Sequence, residues 1–436
     1  MAEDGPPRRF GWPGLGALVR PRSPWFVVTV VVVLAAAAGL TVALRADRSP
    51  DADPAGRAAG SGAPAGDSEP PPGAPAVPLP PEAAGRPASE QLEACVGVTL
   101  ARLSLEERAG QVLMIGTPVD DIGRLADAVR VYHLGGVMLA GRSDLPATTL
   151  RTGVQALQRA AGDLPLQVGI DQEGGQVQTL RGADFPTIPT AVDQGRMSAA
   201  ELRSLTGNWA RRLAGIGVTI DLAPVADTVP AGTERDNPPI GGFKRQFGST
   251  PEQVAEAMAV LVPAIQEAGV LTTLKHFPGL GRVDANTDVS DRAVDSVATV
   301  DDPYLQPFVR GIEADSAAIM ISSARYPKLD PETIAAFSVP IVTGLLRDRL
   351  GYRGLVISDD LGVAGAVKAV PLGERGVRFL RAGGDLVLTV RSSDAGTMHQ
   401  AILAAARGSA EFDARLTEAA RQVIRSKYRA GLLTCG

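Results

Sequence analysis

The sequence predicts a single (β/α)8 barrel, preceded by an apolar N-terminal segment and a proline-rich linker. Two observations predict the barrel: short apolar runs recur eight times along the chain, and a segment with helical features follows each run. The runs are continuous rather than alternating, as expected for strands buried on both faces of a parallel sheet. Strands alternating with helices in this number favour a closed parallel barrel. A doubly wound open sheet is the alternative, but no GxGxxG pattern follows the first strand.

The N-terminal segment is long and apolar enough to span a membrane. Residues 24–44 contain no charged side chain, and about 20 apolar residues suffice to cross a bilayer. Four arginines precede the segment within residues 1–23, whereas only Arg45 and Arg48 follow it closely. This bias predicts a cytoplasmic N-terminus and places the bulk of the protein outside the cytoplasm. A cleaved signal peptide, which would give a secreted protein, is the alternative.

Residues 45–88 form a linker rich in proline, alanine, glycine and aspartate. Such a segment buries too little apolar surface to offset its chain entropy, so we expect a disordered, extended tether. The folded domain is then residues 89–436. We therefore expect a single-pass membrane protein whose barrel lies outside the cytoplasm.

Within this domain, the sequence marks both strands and helix starts. Ser104 and Glu107 form a capping-box pattern, and Thr250, Pro251 and Gln253 form a second helix start with proline at the first helical position. The eight predicted strands lie within residues 111–116, 135–140, 166–171, 217–224, 271–276, 317–322, 354–359 and 385–390.

Composition argues against several classes of function. Three histidines and two cysteines leave no plausible zinc site, and there is no CxxC pair. The net charge of −5 is spread along the chain without a basic stripe, so nucleic acid is not an expected partner. We expect no metal and no organic cofactor.

Polar residues stand where the predicted strands end, which is where barrel enzymes place their catalytic groups. Asp171 ends the third strand, Lys275 and His276 end the fifth, and Asp359 ends the seventh. Carboxylates beside a lysine and a histidine are costly to bury unless they are paired, so these residues predict a polar pocket. Ser358 and Asp360, which flank Asp359, are better explained as helix caps or loop-closing residues.

Three of these strand ends carry motifs that resemble a known family. DQEGG at 171–175, KHFPGLG at 275–281 and GLVISDDL at 354–361 occur in this order. They are similar to the β-N-acetylglucosaminidases of glycoside hydrolase family 3, and the resemblance extends over residues 95–434. Such proteins are (β/α)8 barrels that act on carbohydrates without a cofactor.

The resemblance implies a role for each motif residue. Asp359 matches the family nucleophile, and Asp171, Lys275 and His276 match sugar-binding positions. Arg245 matches a further sugar-binding arginine, although its segment IGGFKRQFG is two residues longer than the family pattern. The implied reaction is retaining hydrolysis through a glycosyl-enzyme, in which Lys275 would help to keep Asp359 ionised.

One motif departs from the family. After KHFPG the single-domain members carry an Asp-Ser/Thr-His sequence whose histidine is the acid/base, whereas the same offset here gives Asn286, Thr287 and Asp288. Neither His133, before the second strand, nor His399, in a late helical segment, is placed to replace that histidine. Asp288 is thus the candidate acid/base and would have to hold its proton at the working pH. A rearranged loop, or weak or absent activity, is the alternative.

The leading hypothesis is an exo-acting β-N-acetylhexosaminidase that removes terminal N-acetylglucosamine, with cell-wall (peptidoglycan) fragments as the source. The alternatives are a β-glucosidase-like exo-glycosidase of the same family and a degenerate homologue that binds glycans without turnover. A Schiff-base aldolase at Lys275 would explain neither Asp359 nor the DQEGG motif. The expected partners are a carbohydrate and, through residues 24–44, the membrane.

Cys95 and Cys435 lie near the two ends of the folded region. A closed barrel brings its first and last units side by side, and disulfides persist outside the cytoplasm. We therefore predict a bridge between them, with Cα atoms within about 7 Å of each other. Two unpaired thiols are the alternative.

Overall fold

The computed structural model describes residues 75–78, 83 and 87–435. Eight parallel strands form its central sheet, and all eight lie where the sequence predicts them. The strands are β1 Leu113–Pro118, β2 Gly136–Ala140, β3 Gln167–Ile170, β4 Ile220–Asp221, β5 Leu271–Phe277, β6 Ala318–Ile321, β7 Leu355–Ser358 and β8 Val387–Thr389.

The sheet closes into a barrel. Consecutive strands pair in parallel from β1 to β7, and β8 pairs with β1. Between β7 and β8 the contact is a single parallel bridge from Ile357 to Leu386, just before β8 begins. The carboxyl ends of all eight strands therefore meet at one face of the barrel, as the predicted fold class requires.

Helices surround the barrel and connect its strands. They are α1 Ala88–Ala101, α2 Leu105–Gln111, α3 Ala126–Tyr132, α4 Ala147–Ala161, α5 Ala191–Gln194, α6 Ala199–Ala214, α7 Pro251–Gln266, α8 Gln306–Glu313, α9 Leu372–Arg381, α10 Ala395–Gly408 and α11 Ala410–Arg429, with a π-helix at Pro340–Arg349. Both predicted capping boxes are formed: Ser104 and Glu107 start α2, and Thr250 and Gln253 start α7.

Most of the strands contribute to two apolar layers. In β6, for example, Met320 belongs to the core inside the barrel, whereas Ile319 belongs to the layer between the barrel and the helices. Successive side chains of a strand point to opposite faces, so a strand buried on both faces needs an unbroken apolar sequence. This double burial explains why apolar and polar residues do not alternate along the strands.

The two ends of the described chain are joined. Cys95 on α1 and Cys435 form a disulfide with Cα atoms 5.9 Å apart, across a sequence separation of 340 residues. Beside it, Ala76–Val77 pairs in parallel with Thr434–Cys435. Two further short strand pairs lie in loops: Gln172–Gly174 with Val177–Gln178, and Arg325–Tyr326 with Asp330–Ile334.

The structure corrects one boundary. The prediction of a disordered tether over the whole of 45–88 is wrong for residues 76–77, which form a strand, and for residue 88, where α1 begins. Val77 is buried in a small apolar cluster with Cys95 and Leu433, and this tertiary contact fixes the segment. The predicted membrane segment at 24–44 lies outside the described residues, as do 1–23 and most of the linker. Among the helices that the structure describes, none combines the length and apolar character needed to cross a bilayer.

Replacing both cysteines with serine should lower thermal stability. A cross-link over a loop of ~100 residues or more is worth up to roughly 5 kcal/mol by chain entropy, and measured gains are often smaller. We expect the melting temperature to fall by about 5–10 °C. Reduced wild-type protein should melt like the double variant. Two reactive thiols in denatured, unreduced protein, or no response of the melting temperature to reductant, would contradict the bridge.

Candidate active site

A cavity of about 370 Å³ opens at the carboxyl ends of the barrel strands. It is lined by side chains from the loops that follow β3, β4, β5 and β7. All six catalytic or sugar-binding residues predicted from the sequence line this cavity: Asp171, Arg245, Lys275, His276, Asp288 and Asp359. The structure thus brings together residues that are up to 188 positions apart, the separation of Asp171 and Asp359 in the sequence.

A buried ion cluster forms one wall of the cavity. The Lys275 ammonium lies 2.6 Å from Asp171 Oδ1 and 2.6 Å from Glu173 Oε1. Arg245 binds Glu173 as a fork, with Nε 2.9 Å from Oε2 and Nη2 2.7 Å from Oε1. Burial would raise the pKa of Glu173, but the charges of Arg245 and Lys275 outweigh it and lower that pKa to about 2. Glu173 is therefore ionised and holds both cations in place.

The same cluster keeps Lys275 protonated. Burial works against the ammonium form, but Asp171 and Glu173 together raise the pKa of Lys275 above its usual value. An ammonium has three donors, and two are used on these carboxylates. The third is available to a ligand in the cavity.

His276 is held by a buried aspartate. Its Nδ1 lies 2.7 Å from Asp227 Oδ2, and its backbone N–H donates to Asp227 Oδ1 at 3.2 Å. The Leu280 N–H donates to the same oxygen at 2.7 Å. With Nδ1 donating to Asp227, Nε2 becomes the acceptor, and it lies 3.4 Å from Arg245 Nη2. Asp227 thus sets both the ring orientation and the tautomer.

Asp359 follows β7 directly. Its backbone N–H donates to the Ile321 carbonyl at 3.1 Å, and its Oδ1 accepts the Asp360 N–H at 2.8 Å. Burial raises the pKa of Asp359, and the nearby carboxylates of Asp288 and Asp360 raise it further, while the hydrogen bond from the Asp360 backbone N–H lowers it. The expectation that Lys275 keeps Asp359 ionised needs correction. Lys275 donates to Asp171 and Glu173 on the β3 loop instead, and the Asp360 backbone N–H is the donor that stabilises ionised Asp359.

Ser358 and Asp360 hold the strand end that carries Asp359. Ser358 Oγ accepts the Leu388 N–H at 2.8 Å and so fastens β7 to β8. The Asp360 carboxylate accepts four backbone N–H groups, from Gly362, Val363, Ala364 and Val390, at 2.8–3.0 Å. The prediction that these two residues serve the loop is confirmed.

Asp288 lies in the loop after β5 and is exposed at the cavity. Its backbone N–H donates to Asn286 Oδ1 at 2.9 Å, which makes a tight turn around Thr287. The Asn286 side chain therefore shapes the loop by accepting a hydrogen bond from its backbone. His133 caps α3, and the ring of His399 lies 3.1 Å from the Glu106 carbonyl, so neither histidine lines the cavity.

The Asp288 loop is docked on the segment after Asp359. The Gly365 N–H donates to the Asp288 carbonyl at 2.8 Å, and the Ala366 N–H donates to the Thr287 carbonyl at 3.0 Å. A Cβ on Gly365 would lie 2.5 Å from the Ser290 nitrogen, closer than real contacts allow. Glycine at this position is what permits the two loops to touch.

Sequence reasoning gave no role to two important side chains. Glu173, inside DQEGG, joins Arg245 to Lys275, and Asp227 orients His276. Both stand near strand ends as acidic residues, which was the available signal, but their partners are distant in sequence. Within the described residues, no group of histidine, cysteine, aspartate or glutamate side chains is arranged to hold a metal ion.

Comparison with known proteins agrees with this geometry. The glycosyl hydrolase family 3 N-terminal domain model matches residues 104–426. Beta-hexosaminidase LpqI of Mycobacterium tuberculosis (strain ATCC 25618 / H37Rv) is 32% identical over 304 residues, covering 67% of this chain and 75% of that protein. The chain therefore belongs to glycosyl hydrolase family 3, and it is a glycosidase.

Solved structures give the same result. The β-N-acetylhexosaminidase of Beutenbergia cavernae DSM 12333 superposes with a TM-score of 0.73 at 42% identity, covering 75% of this chain and 99% of that one. A family 3 β-N-acetylglucosaminidase of Paenibacillus sp. str. FPU-7 superposes with a TM-score of 0.66 at 28% identity, covering 76% of this chain and 63% of that one.

Replacing Glu173 with glutamine should destabilise the protein strongly, because it leaves Arg245 and Lys275 buried without their shared partner. Breaking a buried pair in this way costs about 3–5 kcal/mol. The folded-state pKa of Glu173 is about 2, below its ordinary value of 4.5. The contribution of ionised Glu173 to the free energy of unfolding is therefore complete above about pH 4.5 and is lost as the pH falls towards 2.

Denaturant unfolding of wild type and Glu173→Gln across this pH range measures the effect. The gap between the two proteins should narrow as the pH falls. Glu256→Gln, at an exposed site on α7, is the matched control and should change stability by less than about 0.5 kcal/mol. Equal stability of Glu173→Gln and wild type at neutral pH would show that the cluster does not hold the site.

Proposed function

We propose that this protein is a retaining exo-glycosidase that hydrolyses terminal β-linked N-acetylglucosamine, with Asp359 as its nucleophile. The observation that carries the proposal is the convergence of two separate carboxyl groups, Asp359 and Asp288, on one cavity beside an ion cluster. A pair of carboxyl groups is the usual catalytic set of glycosidases. The substrate is supported by the relatives, which are named β-hexosaminidase and β-N-acetylhexosaminidase.

In the first step, the Asp359 carboxylate attacks the anomeric carbon and the bond to the leaving oxygen breaks. Asp288 gives its proton to that oxygen, so the leaving group departs as an alcohol. In the second step, a water molecule gives a proton to Asp288 and attacks the same carbon, which releases Asp359 as a carboxylate. Two inversions restore the β configuration.

The ion cluster is proposed to bind the sugar. The Asp171 carboxylate is 35% exposed and can accept a hydroxyl hydrogen bond, while Lys275 has one donor left for a hydroxyl oxygen. Glu173 fixes Lys275, and Lys275 in turn fixes Asp171, before the sugar arrives. Binding groups that are already ordered lose little entropy when they engage a ligand.

Asp288 stands at the position where the family pattern has histidine. A carboxylic acid performs the same proton transfer in many glycosidases. The exposure of Asp288 favours one further candidate function, a homologue that binds glycans without turnover. Release of sugar from an aryl N-acetylglucosaminide, with the β anomer as the first product by NMR, distinguishes the enzyme from the binding protein.

The location of the protein is also a proposal. An extracytoplasmic barrel, tethered by residues 24–44 or secreted, is supported by the Cys95–Cys435 bridge because disulfides persist in oxidising compartments. Such a location suits an enzyme that trims cell-wall fragments.

Asp359→Asn should remove nearly all turnover while leaving the fold intact, because the amide cannot act as the nucleophile. We expect kcat to fall by about 100-fold or more with an unchanged melting profile. Asp348→Asn, on the π-helix and exposed, is the control for an isosteric loss of charge. An Asp359→Asn variant that keeps more than about 5% of the wild-type rate would refute the assignment.

Asp288→Ala should slow the enzyme most on substrates with basic leaving groups, because acid assistance matters most for them. General acid catalysis contributes about 10²–10⁴-fold, so alkyl glycosides should lose at least ~100-fold and nitrophenyl glycosides much less. Rates on a series of leaving groups measure the pattern.

Gly365→Ala should also slow the enzyme most on substrates with basic leaving groups, but by less than Asp288→Ala. The added Cβ pushes away the loop that carries Asp288. Gly97→Ala, at a helical position with open space around it, is the control for the substitution itself. Equal losses by Asp288→Ala on every leaving group would remove Asp288 from the acid/base role.

A further inference from the structure

The mouth of the cavity carries exposed apolar side chains. Phe243 and Val363 each retain 39% of their surface exposed, and both line the cavity. The other large apolar residues that are this exposed in the described chain, all valines, lie outside the cavity lining: Val131, Val289, Val297, Val300 and Val339. Exposed apolar surface at the rim of a polar pocket is typical of a ligand-binding surface.

Phe243 stands on a rigid turn. The turn Gly241–Phe243 belongs to the segment that is two residues longer than the family pattern. Asn237 is buried beside it and accepts the backbone N–H groups of Ile240 and Gly241. Its amide donates to the carbonyls of Leu280 and Val283, at 2.7 and 2.9 Å, in the loop that leads to Asp288. One buried amide therefore fixes the aromatic ring relative to the loop of the acid/base.

Val363 is fixed relative to the nucleophile. Its backbone N–H donates to Asp360 Oδ2 at 2.8 Å, and Asp360 is the neighbour of Asp359. The two apolar side chains thus come from the loops after β4 and β7, and the Asp288 loop is hydrogen-bonded to segments of both. The leaving group must pass near Asp288 to receive its proton, so these side chains are placed to contact it.

Charge at the cavity decides which leaving groups fit. With Asp288 holding its proton as the acid, three carboxylates line it, on Asp171, Asp359 and Asp360, against two cations, Arg245 and Lys275. Both cations are already paired with Glu173. Lys244, next to Phe243, is not part of the lining. The excess of negative charge opposes the approach of an anionic group.

We propose that Phe243 and Val363 form the leaving-group subsite, and that it takes an uncharged leaving group with an apolar face. A second pyranose ring lying on Phe243, or an aryl group, has this chemistry. A leaving sugar with a free carboxylate does not. This inference rests on the proposed function and narrows its substrate class to neutral glycan fragments, including wall fragments whose acidic group is blocked as an amide.

The test compares substrates that share one N-acetylglucosamine and differ in the leaving group: methyl, a second N-acetylglucosamine, and N-acetylmuramic acid with a free carboxylate. Phe243→Ala should lower kcat/KM about tenfold for the neutral disaccharide and less than about twofold for the methyl glycoside. Phe243→Tyr should retain the wild-type values because it keeps the ring face. Val131→Ala, on α3 and outside the cavity, is the control for loss of an exposed apolar side chain.

Wild-type enzyme should also prefer the neutral disaccharide to the acidic one, and the preference should shrink at high salt because salt screens the repulsion. Equal losses on all substrates in Phe243→Ala, no loss on any, or a preference for the acidic disaccharide would each overturn the proposal. Calorimetric binding of the neutral disaccharide to Asp359→Asn, with and without Phe243→Ala, tests the subsite separately from turnover. If Phe243→Ala left the affinity for the neutral disaccharide unchanged, the proposed subsite would be overturned even if the protein hydrolysed no substrate.

Discussion

The site depends on one buried carboxylate, Glu173, which is shared by two cations. Arg245 comes from the loop after β4 and Lys275 from the end of β5, and both meet Glu173 on the loop after β3. An unpaired charge at this depth would cost several kcal/mol, so the three loops are held in one arrangement. The groups that face the cavity, including Asp171 and His276, take their positions from this arrangement.

The two sides of the cavity are built by different forces. The ion cluster fixes the wall that is proposed to hold the sugar, where burial makes charge pairing strong. The mouth is fixed by hydrogen bonds to the main chain, through Asn237 under the Phe243 turn and Gly365 under the Asp288 loop. Asn237 is itself buried, so water competes little for its bonds, whereas ion pairs at a surface contribute little. The mouth is thus ordered even though its side chains are exposed.

The sequence predicted the barrel well because strands buried on both faces need unbroken apolar runs. It predicted the lining of the cavity because strand ends in a barrel converge. It did not predict how Glu173 and Asp227 are paired, since these contacts join residues 49 to 102 positions apart along the chain. It also missed the strand Ala76–Val77, which depends on the burial of Val77 against distant residues rather than on any local pattern.

The docking of the Asp288 loop has a consequence for how such an enzyme changes over time. The loop is held through the carbonyls of Thr287 and Asp288, and any residue at these positions supplies the same carbonyls. Its position is therefore independent of the side chain that performs the proton transfer. Evolution can exchange one proton donor for another at this site, histidine for aspartate included, without rebuilding the loop, provided that Gly365 remains a glycine.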